Sequence, residues 1–412
     1  MGSKVVRSLV FCVDTNPPRL QWLLQEFRLL VNRSIRIAIR GDIRSRFRLT
    51  QAAYRTLSAE HNVYKQYIPS AFGVALGLLK AYRRRMRRGR TTKVPYLHRL
   101  MLKAENQSYR LDRDTGRIRI PIRGTEGIQF DLPLSTWHRS ILQDSSWGLG
   151  SLTVSSGRII VAVRRGAPDP YEPVGAVALD ANESSLDGVA AHDGDARLVT
   201  IPFPEVRVVQ ATHFRRRRRL AREKTHDHRV MRRLLAREGL RERNRVRQRL
   251  HLVSKGLVTA AETRRAAVVL ENLQMPSGGG RDRKVRRRLS SWPRGELLRQ
   301  IEYKALAAGV PVIKVNPQWT SKTCPVCGAR RRDRVVHDFV CQMCDWEMDR
   351  QHNAGLNILK TALVSNETLA RAVRFQPGAL RNDVVIPLCD LPALLACARD
   401  EPSGAESLSG AT

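Results

Sequence analysis

Acidic residues are scarce. The 412 residues carry 38 Asp and Glu against 73 Lys and Arg, a formal charge of +35 with a pI near 11.2. A chain so short of negative charge seeks a polyanion, and it gains affinity by releasing counterions from phosphates. A basic tail on a neutral body is excluded, because Arg clusters recur at 83–90, 215–219, 241–249 and 281–288. Arg outnumbers Lys, which favours forked contacts to phosphate. No apolar run is long enough to span a membrane, and the start of the chain lacks the apolar core of a signal peptide. The expectation is a cytoplasmic protein with no membrane partner. Cysteine is sparse too, at seven residues. Three of them (Cys12, Cys389, Cys397) are scattered and read as buried apolar positions or unreactive thiols. Usage of this kind suits metal ligation better than a disulfide frame. There are no internal repeats.

What is present divides at Glu172-Pro173. Before it, Val5–Val13 is β-rich, Leu20–Ile39 keeps helical spacing through Leu23, Leu24, Phe27, Leu30, Val31, Ile35 and Ile39, and a second helix runs from Ser70 into the Arg83–Arg88 cluster. Two hairpins follow, Ser108–Leu111 with Arg117–Ile122, and Ser151–Val154 with Arg158–Val163. Residues 1–170 therefore read as a small barrel with a helical insertion. After the divide, Val174–Leu179 is a continuous apolar run, as a buried central strand requires. Ser185–Ala191 and Arg197–Ile201 read as antiparallel neighbours. A helical stretch from Val206 to about Leu257, broken or bent near Gly239, holds 16 basic and 4 acidic residues between Phe214 and Leu250. Its thin apolar stripe (Met231, Leu234, Leu235, Val246, Leu250, Val253) fits two antiparallel arms that present Arg outward. Ala266–Leu270 is a second buried strand, Leu297–Ala308 a helix, Val310–Val315 a third strand, and Asp349–Thr361 a helix. The last fifteen residues read as disordered.

Two patterns carry chemistry. Cys324-Pro-Val-Cys327 and Cys341-Gln-Met-Cys344, thirteen residues apart, form two knuckles that suit one tetrahedral, structural Zn2+. A redox pair is the rival reading and fits the paired spacing less well. Asp180 and Glu271 end the first two buried strands, and Asp349 opens a helix. A charge at the end of an apolar strand needs a cation or solvent. Three such acids converging would hold two Mg2+ or Mn2+ ions for phosphodiester hydrolysis.

Ser290-Ser-Trp-Pro-Arg, Glu302-Tyr-Lys-Ala, Thr320-Ser-Lys-Thr-Cys-Pro-Val-Cys-Gly and Asp349-Arg-Gln-His-Asn-Ala-Gly-Leu-Asn-Ile-Leu resemble the TnpB proteins of insertion sequences, relatives of the type V CRISPR nucleases. The likeness is dense from about 173 to 360 and thin before. It implies an α/β plus β fold: an RNase H-like (RuvC) domain with an inserted zinc ribbon, preceded by a β-barrel wedge domain with a helical insertion. In this chain that gives a first wedge strand at 1–15, the helical recognition insertion at 16–100, and the rest of the wedge at 101–171. The nuclease core follows at 172–319 with arms at 206–257, then the zinc ribbon at 320–348, the final RuvC helix at 349–362 and a C-terminal tail at 363–412. The implied activity is RNA-guided DNA cleavage, with guide RNA and double-stranded target DNA as partners and a monomer or weak dimer on the RNA. Pairing with the guide reads the sequence, while the protein reads duplex shape and an adjacent motif. Arg83, Arg84, Arg85, Arg215, Arg216, Arg217, Arg218, Arg219, Arg243, Arg247, Arg286 and Arg287 are the expected nucleic-acid contacts. One departure stands out: many relatives have Asp where this chain has Gln351, and an amide ligates a divalent cation weakly. A nuclease-inactive, RNA-guided DNA-binding repressor and a transposase accessory protein binding element DNA therefore stay open as alternatives.

Overall fold

In a computed structural model, residues 2–223, 226–272, 291–331 and 337–375 and the backbone of 380–385 are described. Arg286, Arg287, the basic loop after Met275, Cys389, Cys397 and the final fifteen residues lie outside them. The chain forms two compact units, 1–166 and 167–412.

The first unit opens with β1 (Lys4–Cys12), followed by α1 (Pro18–Arg40), α2 (Arg46–Glu60) and α3 (Tyr67–Arg87). Proline at the first turn starts α1 without loss of a needed N–H, and the Ser45 hydroxyl caps α2 by accepting from Arg48 N. The apolar stripe of α1 is buried as its spacing predicts, with Ile39 half-buried at the last turn. Then come β2 (Met101–Ala104), β3 (Arg110–Leu111), β4 (Arg117–Arg123), β5 (Glu126–Asp131), α4 (Thr136–Leu142), β6 (Gly148–Ser155) and β7 (Arg158–Gly166). Both expected hairpins form, as β3–β4 and β6–β7. The closed barrel does not: among the described residues the strands divide into a sheet ordered β1-β7-β6-β2 and a separate sheet ordered β3-β4-β5. Cys12, expected to be buried or inert, is exposed. It ends β1 on the outward parity, between buried Phe11 and the turn.

The second unit is built on a six-stranded sheet. β8 (Gly175–Ala181), β9 (Ser185–His192) and β10 (Asp195–Pro202) form an antiparallel meander. The chain leaves through α5 (Glu205–Glu223) and α6 (His228–Thr263), returns as β11 (Ala266–Glu271) parallel to β8, and passes through α7 (Arg294–Ala308) to β12 (Val312–Val315), parallel to β11. Gly309, at φ 69°, ends α7 in the left-handed conformation that a glycine adopts without strain. A short hairpin, β13 (Asp338–Val340) with β14 (Glu347–Asp349), leads into α8 (Arg350–Ser365) and α9 (Glu367–Val373). The last strand, β15 (Leu380–Val385), lies parallel to β10. It falls in the stretch read as a tail, so the tail contributes to the sheet, whose order is β12-β11-β8-β9-β10-β15.

Strand parity sorts the two faces. Leu179, Leu186, Val199, Ile201, Val268 and Leu270 face α6 and α7. Ala176, Ala178, Val189, Ala267, Val269 and Val315 face α8 and α9. β11 is buried along its whole length, as its unbroken apolar run predicts.

The helical arms differ from expectation in one respect. α6 runs straight through Gly239; the interruption comes earlier, before Asp227, whose carboxylate accepts from Arg229 N and Val230 N and starts the helix anew. A glycine inside a helix costs about 1 kcal/mol against alanine, too little to break 36 residues of continuous helix. The arms also close on a polar contact. His213 and Glu238 are buried, and His213 Nδ1 lies 2.7 Å from Glu238 Oε1, whereas Met231, Leu234 and Leu235 are only half-buried.

Candidate metal centres and nucleic-acid interface

The cysteine cluster is assembled locally. Cys324 Sγ lies 3.6 Å from Cys344 Sγ, and Cys327 Sγ lies 3.5 Å from Cys341 Sγ. An ion with metal–sulfur bonds of about 2.3 Å spaces its tetrahedral ligands by about 3.8 Å, so the four sulfurs fit one ion the size of zinc. Among the described residues they are the only group of three or more His, Cys, Asp or Glu ligand atoms all within 4.8 Å of one another. The N–H of Met343 points at Cys341 Sγ at 3.4 Å, and this backbone contact, foremost, brings the Cys341 thiol down to about 7. Phe339 packs beneath with Trp346 and Ala329 against it.

The acids are assembled by the sheet. Leu179 of β8 is in register with Leu270 of β11, so the next residues, Asp180 and Glu271, lie side by side near the ends of their strands. By parity both lie on the face that α8 covers. Asp187 lies there too, directly across from Asp180 in the β8–β9 pair. It is buried and accepts from Asn182 Nδ2 at 2.8 Å and Ser185 Oγ at 2.5 Å. Burial first, and then the neighbouring Glu271 carboxylate, push Asp180 up to about 7, with Asp187 adding to the rise and Arg294 and Arg350 opposing it. Burial also raises Glu271, partly offset by the Thr320 hydroxyl, which donates to its Oε1 at 2.6 Å, and by Arg294. Arg294 is itself buried, with its Nη2 4.0 Å from Glu271 Oε2 and its Nε without a hydrogen-bond partner.

Asp349 caps α8. Its Oδ1 accepts from Gln351 N and His352 N and faces the His352 ring at 3.4 Å, while its side chain is 44% exposed. Burial raises its pKa, but these His352 and Gln351 contacts outweigh that and hold it below the usual value. The helix start is fixed over the acidic end of the sheet from two sides. His352 Nε2 lies 3.1 Å from Thr200 Oγ1, and Thr200 pairs across β9 with Asp187. Asn353 and Asn357 donate to the carbonyls of Thr320 and Thr323, in the loop tied to Glu271. Gly355 seats the helix: a Cβ there would lie 2.4 Å from Gly188 Cα, so backbone meets backbone. Asp180 and Glu271 are thus neighbours, and Asp349 stands at the head of the helix above them. The three do not form a set of ligand atoms within 4.8 Å of one another. Two neighbouring buried carboxylates, one of which raises the pKa of the other, are an oxygen donor set suited to a hard divalent cation.

Sequence reading missed Asp187, Thr320, Arg294 and the two Asn of α8. Only Asp187 carried a usable signal, since a tight turn at 182–184 pairs it with Asp180.

The expected nucleic-acid contacts divide by what already holds them. Arg84, Arg85, Arg215 and Arg243 are exposed. Arg83 is committed to Asp42 Oδ1 at 3.1 Å and to the Ile43 carbonyl. Arg216 lies 3.8 Å from Glu238, Arg217 pairs with Glu242, Arg219 with Glu223, and Arg247 lies 3.4 Å from Glu296. Arg218 sits 6.0 Å from the Phe214 ring centroid. No helix among the described residues is long and apolar enough to cross a membrane.

Comparison with known proteins agrees with this frame. Residues 295–358 match the family model "Cas12f1-like, TNB domain", and 23–121 match an uncharacterised family named for MJ0013. The TnpB-like protein MJ0751 of Methanocaldococcus jannaschii is 24% identical over 253 residues, covering 59% of this chain and 90% of that protein. The CRISPR-associated endodeoxyribonuclease Cas12f1 of an uncultured archaeon is 34% identical over 85 residues, which span 18% of this chain and only 16% of that relative. In fold, the chain resembles Cas12f1 in a complex with single-guide RNA and target DNA, with a TM-score of 0.59 at 15% identity, covering 82% of this chain and 81% of that one. By these matches the chain is similar to the TnpB-like proteins and, over its C-terminal half, to the Cas12f nucleases.

Proposed function

We propose that the chain is an RNA-guided DNA endonuclease that hydrolyses phosphodiester bonds at an RNase H-like, RuvC-type site. The observation that carries the reading is the pairing of Asp180 and Glu271 on adjacent parallel strands, on the face where the capped start of α8 brings Asp349. A sheet with an antiparallel meander followed by two parallel crossovers suits that fold. In this reading Asp180 and Glu271 hold Mg2+ or Mn2+, with Asp349 completing the set. Bound divalent cations would supply an activated water and stabilise charge on the leaving oxygen. The protein's own part is to hold the acids: Thr320 orients Glu271, the sheet fixes Asp180, and Arg294 balances charge. The four cysteines hold a structural Zn2+ in the ribbon between β12 and α8. The exposed Arg of α3 and of the arms take guide RNA and heteroduplex backbone, and the first unit, as wedge and recognition domains, reads the motif beside the target.

The test is co-expression with the RNA from the 3′ end of the gene, followed by incubation with a randomised-flank target plasmid and magnesium. Guide-dependent cleavage beside one enriched flank is expected. Asp180→Ala or Glu271→Ala should lower it by about 1,000-fold or more, an effect of about 4 kcal/mol on the barrier, with RNA binding retained. Unchanged cutting in both variants would exclude this site. Gln351 favours a second reading, a guided binder without cleavage. In that case the plasmid is bound but intact, and Gln351→Asp restores cutting in part.

A further inference from the structure

The loop that enters the cysteine cluster holds a tryptophan in an unusual state. Trp319 has φ 71°, the left-handed region that a bulky side chain rarely occupies. Its ring is nonetheless not used to build the ribbon core, where Trp346 packs on Phe339, Cys324 and Cys341. The Trp319 side chain is 41% exposed. Two cations flank its ring: Lys322 Nζ at 5.7 Å and Arg330 Cζ at 5.8 Å from the centroid. These distances are within cation–π reach, and the residue keeps 41% of its surface open to solvent.

The surrounding loop over-determines the strained backbone. The Trp319 carbonyl accepts from Lys322 N, Thr323 N and Thr323 Oγ1 at 2.9, 3.0 and 3.0 Å. Thr323 bridges to Arg330, and Asn357 of α8 clamps the carbonyls of both Thr320 and Thr323. The next residue, Thr320, donates directly to Glu271. Strain held this firmly by its neighbours points to a function for the side chain that it presents. Adjacent Cα atoms are about 3.8 Å apart, so the indole is displayed one residue from the contact that orients a candidate catalytic acid.

We propose that Trp319, flanked by Lys322 and Arg330, is a stacking platform for an unpaired base of a single DNA strand led to the Asp180–Glu271 acids. The ring takes the base in a sequence-tolerant way, and the two cations meet the phosphates on either side. The inference rests on the nuclease reading for its destination, and it adds the group that grips the strand. Trp319 is a binding residue here, and its loss leaves the acids in place.

The experiment measures equilibrium binding of the full-length, zinc-loaded chain to a labelled 12-nucleotide oligothymidine and to an abasic oligonucleotide of equal length, at about 0.3 M salt so that phosphate attraction is damped. Trp319→Gly removes the ring and also relieves the left-handed strain, so its Tm should not fall. It should weaken oligothymidine binding by about 5- to 150-fold, the range of one base–aromatic stack, and leave the abasic strand unchanged. Trp319→Phe should keep most of the affinity. An equal loss on both strands, or no loss on oligothymidine, would overturn the platform, as would a larger loss on oligouridine RNA than on DNA. None of these readouts involves cleavage. A chain that stacks bases on Trp319 but cuts no DNA keeps the platform and removes the nuclease; the reverse result does the opposite.

Discussion

The two candidate metal centres of the second unit lie in one stretch of fold yet are built in opposite ways. The four cysteines come from two short knuckles within 21 residues of chain, and their sulfurs already stand at ligand spacing. The acids come from β8, β11 and the head of α8, which span 170 residues from Asp180 to Asp349, and only the sheet register and one helix docking bring them near. The first site depends on local turns and the second on a whole packed layer. They should therefore fail separately.

The largest effect is expected at the cysteines. Cys324→Ser with Cys341→Ser should take bound zinc from one per chain to near none, measured by atomic absorption. Among the described residues the ribbon has little core beyond Phe339 and Trp346; zinc binding contributes on the order of 10 kcal/mol to folding in comparable small sites, so amide protection across β13 and β14 should vanish. Protection of β8 and β11 should persist, because their core lies under other helices. If the whole sheet lost protection, the separation of the two sites would be wrong.

The next effect concerns the acids alone. Asp180 sits at about 7 in the folded chain against 3.8 ordinarily. Below pH 4 the group is protonated both folded and unfolded and contributes nothing. As pH rises from 4 to 7, the unfolded chain releases this proton and the folded chain resists, so stability falls. The loss reaches up to about 4 kcal/mol above pH 7. In magnesium-free buffer Asp180→Asn should therefore raise Tm at pH 8 and change little at pH 4. A Tm gain of equal size at both pH values would show that the burden is packing, not charge.

A smaller effect separates the sites most cleanly. Gly355→Ala adds one methyl at a point where backbone already meets backbone, costing about 1–3 kcal/mol by overpacking. It should lift α8, and with it Asp349, from the sheet. Zinc content should stay at one per chain, while guided cleavage falls by more than tenfold. Loss of zinc together with cleavage would mean that the cysteine cluster also depends on that seat.

The contrast follows the line between what sequence alone determines and what tertiary structure decides. Spacing in the chain was enough for the cysteine knuckles, the α1 stripe, both hairpins of the first unit and the buried strands that end in Asp180 and Glu271, because turns and periodicity act over a few residues. It misjudged the break in the arms: Gly239 is a weak helix former, but Asp227 offers a real cap. It also could not tell one closed barrel from two sheets, since strand pairing beyond hairpins depends on contacts far apart in the chain. Nor could it assign β15, which gains its place only from an edge offered by β10. At the acidic site it supplied the residue types and the order, while parity and packing chose the company: Asp187 across the hairpin, Thr320 on Glu271, Arg294 between the charges, and Asn353 and Asn357 pinning α8. Polar partners of this kind have no periodicity to read. They are selected by the cost of burying an acid unsatisfied, and that cost exists only once the sheet and helix have closed over it.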